Sequence, residues 1–181
     1  GTASGLDFYD SAYARISGLA WRDDDLNGQR GGGELLLSNV VVTLYDRFTN
    51  AVAISTTTVS GAYAFTNVPP ATYFVGFAAL PVHIITTPNL GGDDAVDSDA
   101  APLSGFTGLF VLLSGEHAQQ VDVGQFPAVP GLQLIKTAGD AADGASEFIL
   151  PGESVLFTYT VINTGNTPME AELAQEQRDA A

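Results

Sequence analysis

Short runs of alternating apolar and polar residues, separated at regular intervals by turn formers, fill the first two thirds of the chain. This pattern constrains the fold most. A period of two places one set of side chains on one face of a strand and cannot line the face of a helix. The runs lie at 14–21, 40–45, 52–58, 62–66, 73–78, 107–113 and 119–125, and β-branched and aromatic residues are prominent in them. Between them stand Asn27-Gly28, Thr49-Asn50, Ser60-Gly61, Pro69-Pro70, Gly91-Gly92 and Ser114-Gly115, all dipeptides suited to a reversal. This punctuation predicts an all-β fold, an antiparallel β-sandwich of two sheets.

Charge and composition exclude several functions. The chain carries 21 acids against 6 bases, a formal charge of −15. Binding to the phosphates of nucleic acid needs clustered Lys and Arg, so no nucleic-acid partner is expected. Without cysteine there are no disulfides, thiolate metal sites or cysteine nucleophiles. No apolar run approaches the roughly 18 residues that span a bilayer, and no signal sequence opens the chain. A soluble chain without membrane insertion is expected, any secretion signal lying outside it.

The pattern breaks at Phe126-Pro127-Ala128-Val129-Pro130-Gly131, where two prolines favour an extended spacer. A new pattern follows: Leu132 to Lys136, then 154–163 with Val155, Phe157, Tyr159 and Val161 on one face. The expected organisation is an N-terminal extension (1–13), a β-sandwich (14–126), a Pro-rich linker (127–131), a partial second β-sandwich (132–168) and a tail (169–181). Two or three strands cannot bury two sheet faces alone. The tail, rich in Ala, Glu and Gln, has little to pack with and reads as a frayed end or a short docked helix.

The segment from Asp23 carries the chemistry. It runs Asp23-Asp24-Asp25-Leu26-Asn27-Gly28-Gln29-Arg30-Gly31-Gly32-Gly33-Glu34 and fits the calcium-loop template: Asp at the first position, Asp or Asn at the third and fifth, Gly at the sixth, Glu at the twelfth. A hard cation wants six to eight oxygens at about 2.3–2.6 Å. Asp23, Asp25 and Asn27 would give side-chain oxygens, Gln29 its backbone carbonyl and Glu34 both carboxylate oxygens. Gly28 supplies the backbone angle for a sharp turn, and a water would stand at Gly31. The flanks are strand-like, so this Ca2+ site would hold a structure rather than open a helix pair. The bland alternative is a solvated acidic hairpin.

A second cluster, Gly91-Gly92-Asp93-Asp94-Ala95-Val96-Asp97-Ser98-Asp99, sets four carboxylates close enough to repel unless solvated or neutralised. Asp93, Asp97 and Asp99 are its candidate ligands, with Asp46 and Asp122 available to complete the shell. Asn27 apart, every ligand proposed through its side chain is a carboxylate.

The residues Ile16-x-Gly18-x-x-Trp21-x-Asp23-x-Asp25-x-Asn27-Gly28, Val40-x-Val42-x-Leu44-x-Asp46, Gly61-x-Tyr63-x-Phe65, Tyr73-x-Val75, Gly91-x-Asp93-x-x-x-Asp97-Ser98-Asp99 and Val121-Asp122-x-Gly124 follow one another in order. Over roughly 14–126 this series resembles the B-type repeat of bacterial serine-aspartate-repeat adhesins, a relative of the collagen-adhesin B domain. The resemblance implies an Ig-like (prealbumin-like) sandwich that binds calcium and serves as a rigid spacer in cell-surface proteins. Some relatives form a Lys–Asn crosslink, but the one lysine, Lys136, lies beyond the first domain. Where the family often has Pro-Gly, this chain has Pro70-Ala71. The segment from Leu132 is similar to the start of a conserved Ig-like repeat of surface proteins.

The expected function is a calcium-stabilised structural module of an extracellular cell-surface or matrix protein, in an adhesin, fibre or biofilm. Its partners would be neighbouring repeats or other copies of the chain. Either the rest of the second domain lies outside this sequence, or another chain supplies the missing strands; in the second case residues Leu6 to Ala14 are a candidate donor strand for filament formation by strand complementation. The alternative is a carbohydrate- or ligand-binding adhesin module using Trp21, Tyr13 and Tyr63, although Trp21 suits a core position next to the loop better. His83 and His117 stand apart from any nucleophile elbow or zinc spacing, so no enzyme is expected.

Overall fold

The computed structural model describes residues 12–145, 150 and 152–170. It contains strands and no helix among them. The chain divides into two compact units with the boundary after Pro127. The donor segment and the tail fall almost wholly outside the described residues.

The first unit holds β1 (Ala14–Arg22), β2 (Val41–Asp46), β3 (Ala51–Thr56), β4 (Ala62–Val68), β5 (Ala71–Phe77), β6 (His83–Ile85), β7 (Phe110–Leu112), β8 (His117–Ala118) and β9 (Val123–Pro127). One sheet has the order β4-β1-β9-β6, with β8 also on β1; the other has the order β3-β2-β5-β7. Alternation decides what faces inward. Ile16 on β1, Val42 and Leu44 on β2, Tyr63 and Phe65 on β4, and Tyr73, Val75 and Phe77 on β5 form one buried cluster between the sheets. The result is an all-β, Ig-like sandwich.

Three features depart from the sequence pattern. The ladders are antiparallel except where β1 runs parallel to β8 and β9. The expected strand at 119–125 begins only at Val123, in β9, because Gln120 takes a left-handed φ of 61° and parts this stretch from β8, which ends at Ala118. The run at 107–113 shortens to β7, since the Thr107 hydroxyl accepts the Val75 N–H (3.0 Å) and interrupts the regular ladder. Near the β4–β5 connection the left-handed residue is Asn67, inside β4, at φ 56°, and neither Pro70 nor Ala71 takes a positive φ.

The outer face of the second sheet carries a small aromatic cluster. Tyr45 stacks on Phe74 (5.0 Å between centroids), and Phe106 meets both edge-on. Gly76 makes room, because a Cβ there would press on the Tyr45 and Phe106 rings at 2.8 and 2.9 Å.

In the second unit β10 (Leu132–Ala138) and β11 (Phe157–Asn163) form an antiparallel two-stranded sheet. Lys136 Nζ lies 4.9 Å from the Phe157 ring centroid and 5.2 Å from that of Tyr159. Leu132, Leu134, Phe157, Tyr159, Val161 and Ile162 remain exposed. Among the described residues no second layer of strands covers these side chains.

Candidate cation site

Asp23 follows directly on β1 and is fully buried. Its Oδ1 accepts the Asn27 N–H (3.1 Å), and its Oδ2 accepts the Gly28 N–H (3.0 Å) and the Thr86 hydroxyl. Gly28, at φ 76°, turns the chain so that these amides point back at the carboxylate. Asp25 accepts from the Asn27 backbone and side-chain amides, and Asn27 Oδ1 accepts the Gln29 N–H (2.6 Å). Glu34 closes the loop, accepting the Asp24 N–H at Oε1 (2.8 Å) and the Gly31 N–H at Oε2 (2.7 Å). Asp24, which the template leaves outside the shell, turns away to pair with Arg22 (2.6 Å).

Asp23, Asp25 and Glu34 each bring a carboxylate oxygen within 4.8 Å of the others. Oxygens that share one ion at about 2.3–2.6 Å stand no more than about 5.2 Å apart, so the three suit a single hard cation. Gln29 forms an isolated antiparallel bridge with Asp97, and its side-chain amide lies against Gly91. That bridge, with Arg30 N–H to Val96 O (2.6 Å) and Ser98 N–H to Gly28 O (3.2 Å), stitches the two acidic loops together.

The second group comprises Asp94, Asp97 and Asp99, again within 4.8 Å. Asp93 stands outside it and Asp94 takes that place. Asp93 instead builds its own turn, its Oδ1 accepting the Ala95 N–H (3.1 Å) and its carbonyl accepting from Val96 and Asp97. Asp46 is elsewhere too. It closes the β2–β3 turn through Phe48 and Asn50, and the Asn50 side-chain amide holds its carboxyl below the ordinary value. Asp122 does reach the second loop: its N–H donates to Asp99 Oδ2 (2.6 Å) and its Oδ1 accepts the Leu19 N–H (2.7 Å).

This second group is electrostatically unbalanced. Asp97 is 3% exposed, and its Oδ1 has no hydrogen-bond partner. Burial, with the charges of Asp94 and Asp93, pushes its carboxyl up. Burial pushes Asp99 up to about 7, aided by Asp122, and burial pushes Asp122 up to about 6 against the restraining Leu19 N–H and Arg30. Folded values above the unfolded one of about 3.9 mean that the folded chain holds protons the unfolded chain has released. Without a cation, stability therefore falls as pH rises from about 4 to 7 and is recovered on acidification.

Trp21 and Tyr63 are buried in the first unit, so neither offers a ring face to a sugar; Tyr13 is exposed. His117 binds Ser17 Oγ through Nε2 (2.8 Å) and holds β8 beside β1, and His83 Nδ1 meets the Pro81 carbonyl (2.9 Å).

Fold and site together define a class: an Ig-like β-sandwich with carboxylate-rich loops joined at one bridge. The sequence profile of the SdrD B-like domain family matches residues 14–125. Serine-aspartate repeat-containing protein C of Staphylococcus aureus (strain MRSA252) is 34% identical over 90 residues, which are 50% of this chain and 10% of that protein. The strain N315 protein is 29% identical over 119 residues, 58% of this chain and 12% of its own length. The chain thus spans about a tenth of the length of the curated relatives it matches. Among solved structures it is similar to the shaft pilin SpaA from Lactobacillus rhamnosus GG (TM-score 0.42, 12% identity, covering 86% of this chain and 80% of that one). It is also similar to the minor pilin GBS52 of Streptococcus agalactiae (TM-score 0.41, 13% identity, covering 66% and 46%). The chain belongs to the SdrD B-like domain family. It is a structural module of an extracellular, cell-surface protein.

Proposed function

We propose that the sandwich is a spacer held rigid by calcium at its two joined acidic loops. The observation that carries this reading is Asp97, buried beside Asp94 and Asp99 with one carboxylate oxygen unpartnered. A buried anion without a partner is costly, and a divalent cation removes that cost. Asp23, Asp25 and Glu34, with Asn27 and the Gln29 carbonyl, would hold one ion. Asp94, Asp97 and Asp99 would hold another. An all-oxygen, carboxylate-rich donor set suits Ca2+, which tolerates irregular shells, better than Mg2+, which demands an octahedron. Bound ions would cross-brace the two loops, a role otherwise open to a disulfide, and the chain has no cysteine.

Calorimetry with EDTA, followed by add-back, tests this. Calcium at 10 to 100 times its Kd stabilises by about 1.4–2.7 kcal/mol per site, so the midpoint is expected to rise by about 5–15 °C. Magnesium should restore little of it. The chelated chain should melt at a higher temperature at pH 5 than at pH 7.5, because Asp99 and Asp122 then regain their protons. A midpoint indifferent to chelation removes the reading.

The second unit favours an assembly role as well. Among the described residues β10 and β11 pair only with each other, and apolar side chains remain exposed on both strands. Strands from another copy of the chain complete this sheet by edge addition, joining modules into filaments. Sedimentation velocity with calcium present should show species that grow with protein concentration. A monomer at every concentration overturns it.

A further inference from the structure

We propose that the break between β8 and β9 forms a binding pocket for a sugar acid, a pyranose bearing one carboxylate. The break is built into the fold. Segment 119–122 leaves the ladder at Gln120, whose φ is 61°, and arches over β1 at Gly18. There the Val121 carbonyl sits so close that a Cβ on residue 18 would overlap it. The arch leaves a cavity of about 400 Å³ lined among others by Arg15, Arg30, Gln119, Gln120 and Asp122. That volume exceeds what a bare inorganic anion fills and lies within the range of small-molecule sites.

The lining selects the chemistry. Two of the 6 basic residues of a chain with net charge −15 stand at this one cavity. Arg30 Nε is buried without a hydrogen-bond partner, and a guanidinium cannot shed its proton to escape the cost. Nε itself is closed to solvent, so a carboxylate in the cavity would meet the guanidinium groups of Arg30 and Arg15 through their accessible nitrogens. Asp122 beside it disfavours a dianion such as phosphate, yet its oxygens accept from hydroxyl groups, and the Gln119 and Gln120 amides can both donate and accept. An extended acidic peptide is the poorer fit. It would bind by strand addition, but β1 is already paired with β4 on one edge and with β8 and β9 on the other. Ser17 lines the cavity too, but its hydroxyl is engaged by His117. The inference does not rest on the calcium reading, because no carboxylate of the two acidic groups is needed to hold the sugar.

The test compares methyl galacturonide with methyl galactoside, which differ at a single carbon, by amide-shift titration of the whole chain. It is run once with calcium and once with EDTA. The uronide is expected to saturate and to shift the Gly18, Gln119 and Gln120 amides, with the neutral sugar at least about tenfold weaker. Arg30→Gln should weaken uronide binding about tenfold and the more exposed Arg15→Gln about threefold. Arg47→Gln, at the β2–β3 turn, should leave it unchanged. Should Arg30→Gln fail to fold, the matched sugars and Arg15→Gln still decide. Equal affinity for the neutral sugar, equal or tighter binding of inorganic phosphate, or no saturation by about 50 mM overturns the proposal. Binding of the uronide in both media without a chelator-sensitive midpoint would retain this pocket and remove the calcium reading.

Discussion

Gly18→Ala is expected to destabilise the chain by about 3 kcal/mol or more, read as a lower urea midpoint at unchanged m. Most added methyl groups can be absorbed by side-chain adjustment. This one meets backbone: the Val121 carbonyl oxygen and carbon, with Asp122 Oδ1 close behind at 2.7 Å. The carbonyl cannot retreat easily, because it accepts the buried Tyr63 hydroxyl (2.7 Å). Neighbouring Asp122 is tied to Leu19 and Asp99 at the same time. Relief would pull segment 119–122 away from β1 and uncover Tyr63. Gly33→Ala is the control, since a Cβ there meets nothing within 4 Å; it should stay within about 0.5 kcal/mol of the parent. Equal midpoints for the two variants would show that the arch over β1 is not tightly packed.

Trp21→Ala should cost about 3–5 kcal/mol and also weaken the response to calcium. The side chain is fully buried, and its ring lies where a Cβ on Gly124 would meet it at 2.9 Å and Thr86 Cγ2 at 2.6 Å. Thr86 in turn donates to Asp23. The indole is therefore a wedge between β9 and the first acidic loop, and a cavity there loosens the carboxylate that begins the site. Trp21 Nε1 has no hydrogen-bond partner, so Trp21→Phe loses volume but no hydrogen bond, and about 1–2 kcal/mol is expected. Midpoints measured with calcium and with EDTA separate the two effects. A Trp21→Ala chain that keeps its full calcium response would place the loop's support elsewhere.

The legible parts of this protein are those set by neighbours in sequence. Alternation at Val40, Val42 and Leu44 or at Tyr73, Val75 and Phe77 marks the core faces directly, because side chains two apart on a strand share a side. The Asp23 loop is legible for the same reason: Asp23, Asp25, Asn27 and Gly28 act on one another across two to five residues. The second loop shows where this stops. Four aspartates in a row of seven residues do not announce which will bend into its own turn, and Asp93 does so while Asp94 joins the group. Strand β6, three residues long, is too short for any period to show.

By itself the sequence determined the long strands, the sandwich and the first acidic loop, since each follows from spacing along a few residues. Only the tertiary structure decided that β1 would lie parallel to the far end of the sandwich. That pairing brings Asp99 and Asp122 together, joins the two acidic loops and opens the arginine-lined cavity above Gly18. The physical reason is distance along the chain. These contacts link residues separated by tens of positions, and they become favourable only once the core has closed and set the register between them.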